Sequence, residues 1–342
     1  MGQAPGRLTQ RDIARLAGVS QTTVSLVLNN RGDAGARIAP ETRDRVLQVI
    51  RETGYAADPL ARRMLQQLNQ ILGVFTYEPV FPSTSADFYH PFLRGIEESA
   101  ERSGCDLLLF TSAPVRDGQR RIFHENNRLR VADGCVLLGR EIPSVELSKL
   151  VAEGYPFVCV GRRDDADGRP VPYVGADYVN ATAQLVERAR DFGHRRFAFV
   201  GPGTGAESSA DRLTGFHRAA GTEAPFLSVD TPDPAERLAR LLEAGVTAVF
   251  VEVEAEAVAL AAAAAAQGLS VPRDLSMVTL GDPTIPVDSS LDFTGFHIPR
   301  PQMGQQAVEL LIDVLHGLTS VTQRLLGCEL THGETLGPPP AS

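Results

Sequence analysis

Residues 9–29 read TQRDIARLAGVSQTTVSLVLN, and this stretch decides how the head of the chain folds. Thr9 followed three residues later by Asp12 has the spacing of a capping box that opens a helix. Ile13, Leu16 and Ala17 then supply a short apolar face. Gly18 takes the left-handed conformation that ends a helix, and Ser20 caps the next one. In that second helix Val24, Val27 and Leu28 fall on one side, and Gln21, Thr22, Ser25 and Leu26 on the other. Two short helices joined by a glycine turn, the second with a small polar outer face, predict a helix-turn-helix whose second helix enters a DNA major groove. The bland alternative is a helical hairpin with a solvated face. A third helix, with Pro40 at its start and Val46, Val49 and Ile50 facing inward, ends at Gly54 and completes a small domain.

Charge points the same way. The 342 residues carry a net charge of −9 at pH 7, but it is unevenly spread. Residues 1–64 hold ten arginines against six acidic residues, so a basic head precedes an acidic body. The only lysine is Lys149. No long apolar run predicts a membrane span, and the start of the sequence lacks the apolar core of a secretory signal, so a cytoplasmic protein is expected. Cys105, Cys135, Cys159 and Cys328 have neither paired nor metal-ligand spacing and are expected as reduced thiols.

From residue 69 onward, continuous apolar runs alternate with helical stretches. ILGVFTY (71–77), CDLLLFTS (105–112), CVLLG (135–139) and FVCVG (157–161) read as buried parallel strands. A helix from about Pro91 to Gly104 and a polar helix after residue 112 are expected among them. A second series is expected to begin near PYVGAD (172–177) and to run through FAFVG (197–201), AVFVEV (248–253) and LSMVTLG (275–281). Two such series predict two doubly wound subdomains with a ligand cleft at the carboxyl ends of their strands.

DIARLAGVSQTTVSLVLN, PETRDRV (40–46), GY (54–55) and LARRM (60–64) resemble the head of LacI/GalR-type bacterial transcription regulators. FGHRRFAFVG (192–201), ADRLTGF (210–216) and HIPRPQMGQQAVELL (297–311) resemble that family's periplasmic-binding-protein-like body. The resemblance implies an α/β protein: a three-helix helix-turn-helix head over residues 1–56, a hinge helix and linker over 57–68, and an effector-binding and dimerisation domain over 69–342. Subdomain one would span about 69–171 plus 296–322 and subdomain two about 172–295 plus 323–338, with chain crossings near 172, 295 and 322. It implies a homodimer that binds a double-stranded operator, most simply as a repressor, and is switched by a small-molecule effector such as a sugar or another metabolite. No cofactor, metal or membrane partner is implied.

Carried over position by position, Gln21, Thr22 and Ser25 face bases. Thr9, Thr23, Asn29, Thr42 and Tyr55 fall where the family approaches phosphates, with Arg62 in the same DNA-contacting set. Leu26 stands where many members have an arginine able to read guanine, so only apolar contact to a base remains. Met64 stands where a leucine usually wedges into the minor groove. In the body, Arg212, Ser208, Phe88, Tyr89 and Arg162 match effector-facing positions. In Thr279-Leu280-Gly281-Asp282 the usual ligand aspartate falls on Gly281, leaving Asp282 as its substitute, and Val253 replaces a frequent asparagine. Fewer polar groups imply a less hydroxylated effector, or none. A structural ion pair at a helix end is the plain alternative for Arg212.

Other chemistry is weaker. GPGTGA (201–206) only partly matches a dinucleotide loop, DDAD (164–167) reads as a turn, and no catalytic constellation emerges. A solute receptor with an incidental head, an enzyme on the doubly wound core, and a constitutive repressor without effector remain as the other readings.

Overall fold

The structure is a computed structural model describing residues 10–28, 38–53, 68–78, 86–116, 118–125, 127–227, 233–283 and 287–340. The side chains of Ser25, Leu26 and Leu28 fall outside that description. The chain forms two compact units, Met1–Asn69 and Gln70–Ser342.

In the first unit, α1 (Gln10–Ala17), α2 (Gln21–Leu28) and α3 (Pro40–Thr53) surround Ile13, Ala14, Ala17, Val24, Val27 and Val46, all buried. Gly18 has φ +64°, the left-handed region that ends α1. The Thr23 amide donates to Ser20 Oγ at 3.1 Å, the N-cap bond expected of that serine. Arg45 on α3 donates to the Ala17 carbonyl at 3.0 Å and caps the end of α1. Leu16 departs from the expected apolar face: it is 53% exposed, and Ile13, Ala14 and Ala17 form the buried side of α1.

The second unit is built on two parallel sheets. The larger has the order β13-β7-β6-β5-β1-β2, formed by Gln323–Leu326, Tyr173–Ala176, Phe157–Val160, Gly134–Leu138, Ile71–Thr76 and Asp106–Phe110. The smaller has the order β11-β10-β8-β9, formed by Ser276–Thr279, Ala248–Val251, Phe197–Val200 and Phe226–Leu227. An antiparallel pair, β12 (Gly295–His297) with β14 (Glu329–Thr331), lies beside β11 through a Val278–Thr294 bridge. Covering helices are α4 (Ala86–Arg102), α5 (Ser144–Ala152), α6 (Tyr178–Asp191), α7 (Glu207–Ala220), α8 (Pro234–Glu243), α9 (Glu254–Ala266) and α10 (Arg300–Leu315). One apolar cluster backs each sheet separately, and a third joins the inner faces through α4, α6, α7 and α10. Gly95 and Gly304 let α4 and α10 touch backbone to backbone, since a Cβ at either would strike main-chain atoms of the other helix.

Three expectations change. β7 is not the first strand of the second series but a member of the first sheet, paired with β6 and β13. The chain therefore leaves that sheet after 176 rather than near 172, and again after 326 rather than near 322. All four residues of β7 are buried, so its sequence reads like any other strand covered on both faces. The polar helix expected after residue 112 is replaced by a short hairpin, β3 (Val115–Arg116) with β4 (Gln119–Arg120), and a 3-10 turn at Leu129–Val131. Pro114 and Gly118 (φ +76°) interrupt helical geometry there, and Arg120 Nη1 instead donates to Thr76 Oγ1 at 2.8 Å. α4 starts at Ala86, before Pro91, and carries that proline within the helix.

Candidate functional site

The head offers one exposed helix face. Gln21 and Thr22 on α2 are exposed, opposite buried Val24 and Val27. Thr23 is half-buried, its hydroxyl 2.9 Å from Ser20 Oγ within the cap. Thr42 is half-buried on the first turn of α3. Thr9, Asn29, Tyr55, Arg62 and Met64, with the expected hinge helix, lie outside the described residues, as do the side chains of Ser25 and Leu26.

In the second unit a cavity of about 760 Å³ opens at the carboxyl ends of β5, β6, β10 and β11. Phe88, Tyr89, Arg162, Ser208, Arg212 and Asp282 all line it, so residues far apart in sequence converge on one space. The aromatic side comes from α4. Phe88 packs edge-on to Tyr89 with ring centroids 5.0 Å apart, and Arg140 stacks over Phe88 at 4.6 Å. The Tyr89 hydroxyl donates to Glu78; burial and that carboxylate push the Tyr89 phenol well above its ordinary pKa.

Arg212 does not sit at a helix end. It projects from the middle of α7, 7% exposed, with Nε donating to the Leu280 carbonyl at 2.6 Å and Nη1 to the Ser208 carbonyl at 3.0 Å. Its guanidinium lies 3.8 Å over the Tyr178 ring. Gly281 has φ +133°, and a Cβ there would come within 3.3 Å of Arg212 Nη2 and 2.9 Å of Ile298 Cδ1, so a side chain at 281 would crowd this corner. Ser208 supplies its backbone carbonyl to Arg212 as well as lining the cavity.

Asp282 is engaged by the chain itself. Its Oδ1 accepts from the Ile298 amide at 2.7 Å and its Oδ2 from Arg300 Nη1 at 2.9 Å, while Arg300 Nη2 donates to the Asp282 carbonyl at 2.7 Å. The carboxylate thus fixes the segment that returns to the first subdomain through α10. Arg162 joins the subdomains on the opposite rim, with Nε donating to Asp211 at 2.7 Å and Nη1 to Asp164 at 2.6 Å. Arg163 does the same, bonded to Glu207 at 2.9 Å and to the Gly139 carbonyl at 2.6 Å.

The expected shortage of polar groups is not found: five arginines and four carboxylates are among the described lining residues. Tyr178, Glu252, Arg163 and Arg300 were not singled out in the sequence. Glu252 carried a signal, an acid closing the otherwise apolar AVFVEV run at the end of a buried parallel strand. Pro202 and Ala206 of GPGTGA line the cavity, with Gly203 and Gly205 at positive φ, which makes the segment a cleft loop. Among the described residues no cluster of three or more His, Cys, Asp or Glu could hold a metal ion. The four cysteines are free.

A DNA-reading head joined to a two-sheet receptor body defines a class, the ligand-responsive DNA-binding regulators. Comparison with known proteins agrees with that class. Residues 9–58 match the model "Bacterial regulatory proteins, lacI family" and residues 186–336 match "Periplasmic binding protein-like domain". The chain is 27% identical to the HTH-type transcriptional regulator CelR of Thermobifida fusca, covering 94% of this chain and 95% of the relative. It is 28% identical to catabolite control protein A of Priestia megaterium, covering 89% and 91%. Among solved structures, a CelR–cellobiose complex superposes with a TM-score of 0.60 at 25% identity, over 96% of this chain and 100% of that one. The lac repressor dimer bound to operator and the anti-inducer ONPF superposes with a TM-score of 0.70 at 20% identity, over 97% and 100%. Over residues 9–58 this chain carries the lacI-family head, and it is a DNA-binding transcriptional regulator.

Proposed function

We propose that the protein is a homodimeric repressor whose operator affinity is set by a small molecule bound in the cleft between its subdomains. α2 reads base edges with Gln21, Thr22 and Ser25, and Leu26 restricts its position to apolar contact. Thr9, Thr23, Asn29, Thr42, Tyr55 and Arg62 approach the backbone, and Met64 wedges the minor groove from a hinge within residues 57–68. The effector, a sugar or a comparable hydroxylated metabolite, contacts Phe88, Tyr89, Arg162, Ser208 and Arg212. Asp282 acts through the Ile298–Arg300 segment it holds. Binding shifts the angle between subdomains and so the spacing of the hinges, a coupling of roughly 1–3 kcal/mol. We read the chain as a regulator rather than an enzyme and place it in the cytoplasm; among the described residues no helix is long and apolar enough to cross a membrane.

The observation that carries this reading is the convergence of the six family-matched residues on one cavity of ligand size. The relative solved with cellobiose makes that disaccharide the first effector to test. Operator DNA obtained by selection on the full chain should bind with nanomolar affinity, and cellobiose or a related sugar should change that affinity at least fivefold. A fragment beginning at residue 69 should keep the body fold and lose DNA binding; specific DNA binding by the fragment would overturn the reading of the head. A constitutive repressor is the second reading, favoured by the internal pairing of Arg162, Arg163 and Asp282, and an operator affinity indifferent to every sugar tried would support it.

A further inference from the structure

Most cleft arginines touch their counter-charge directly: Arg162 bonds to Asp211 at 2.7 Å, Arg163 to Glu207 at 2.9 Å and Arg300 to Asp282 at 2.9 Å. Arg212 is different. Its two bonds go to uncharged main-chain carbonyls, and the carboxylate that faces it, Glu252, stands off at 3.8 Å from Nη1. Glu252 is itself poorly served. It closes the end of β10 with its side chain only 10% exposed; Oε1 accepts from Ser209 Oγ at 2.5 Å, while Oε2 is buried with no hydrogen-bond partner. A buried carboxylate short of donors is destabilising unless a nearby cation offsets its charge. Arg212 is that cation.

We infer that Glu252 is a specificity-determining residue: it cancels the charge of Arg212, so that the cleft accepts uncharged, hydroxylated ligands and rejects oxyanions such as phosphate esters and carboxylates. The inference rests on reading the cleft as the effector site and names the class of molecule it takes. The chemistry is asymmetric. A hydroxyl accepts from the guanidinium and also donates to a carboxylate, whereas an oxyanion only accepts and would bring a like charge up to Glu252 with no proton to share. Of the other lining charges, Arg162, Arg163 and Arg300 are already paired with carboxylates, Arg140 is stacked over Phe88, and Glu254 and Asp288 add negative charge. The Glu254 carboxyl is raised above its ordinary pKa by burial and by the neighbouring Asp282 and Asp292 carboxylates.

Sulfate is a suitable probe, being an acceptor-only anion with no hydroxyl to donate at neutral pH. Melting temperatures of the full chain and of Glu252→Gln are compared in sodium sulfate and sodium chloride at equal ionic strength. The general stabilisation by sulfate as an excluded salt is common to both proteins and cancels. Glu252→Gln should show an added, saturable rise in sulfate, with apparent affinity at least tenfold tighter than the wild type, and Glu252→Gln/Arg212→Gln should lose it. Glu252→Ala makes the same test should the amide pack badly. Equal sulfate responses in the wild type and in whichever Glu252 variant folds would overturn the inference. Saturable sulfate binding by the wild type that disappears in Arg212→Gln would overturn it as well. The effector reading is judged separately by sugar-dependent DNA affinity, and its failure would leave charge cancellation at Arg212 standing.

Discussion

Where α4 of the first subdomain faces the cleft it presents rings; where the second subdomain faces it, it presents charge, which Arg162 and Arg163 of the first subdomain reach over to meet. Phe88, Tyr89 and Phe92 come from a single helix and pack on one another, with centroids 5.0 and 5.9 Å apart. Arg212, Glu252 and Asp282 come from three separate segments and meet only because β8, β10 and β11 end side by side. A ring wall tolerates change, since a lost contact costs dispersion and buried area in proportion to the atoms removed. A charged wall does not, because deleting one partner strands another in a poorly solvated place.

The largest test of this contrast is Arg163→Met. Arg163 is 4% exposed, and its loss leaves Glu207 and the Gly139 carbonyl without their donor. Urea denaturation should show a loss of about 3–5 kcal/mol, the range for breaking a buried ion pair; a loss below 1 kcal/mol would mean that the two walls are equally forgiving. Next is Arg212→Ala, which should weaken effector binding by about 1.5–3 kcal/mol, the scale of a hydrogen bond to a charged group. Calorimetry and melting measured on one preparation separate this from a purely structural role, which would lower stability and leave binding intact. On the ring wall, Phe88→Leu keeps an apolar side chain on a half-buried residue and should cost less than about 1.5 kcal/mol in stability, as a tolerated hydrophobic swap does. The smallest effect belongs to Glu254→Gln. A carboxyl raised by burial and by Asp282 and Asp292 protonates more readily in the folded state, so its charge opposes folding above its folded pKa and not below its unfolded one. The variant should therefore be more stable than the wild type at pH 7, and that advantage should vanish as the pH falls through the ordinary carboxylate range. An advantage that is the same at pH 3 and pH 7 would remove the electrostatic cause.

The ring wall and the head were far more legible in sequence than the charged wall. Gly18, Ser20 and the inward positions Val24, Val27 and Val46 follow from local rules of capping and periodicity, and the structure has them in those roles. Phe88 and Tyr89 came through the family resemblance, and the structure places them on the first turn of α4, the helix that follows β1 in chain order. Arg212 and Ser208 came through the family motif. The pairing of Glu252 with Arg212, and of Asp282 with Arg300, depends on which strands lie adjacent, and nothing local encodes that. The same limit explains β7: a strand buried on both faces carries no mark of the sheet it joins, so the sequence points to a crossing near 172 while the chain leaves the first sheet only after 176. The hairpin at 115–120 leaves no local mark in the sequence because it is anchored by Arg120 reaching back to Thr76, a partner 44 positions away.

The two rim arginines have a kinetic consequence. Arg162 with Asp211 and Arg163 with Glu207 join the loop after β6 to α7 and so tie the two subdomains together beside the cavity. If entry of an effector requires those contacts to part first, the step that admits it does not involve it. The observed association rate should rise with effector concentration only until opening itself becomes limiting, and level off there. Arg162→Gln should lift that plateau, leaving a stopped-flow trace in which mixing two-fold more effector again doubles the rate.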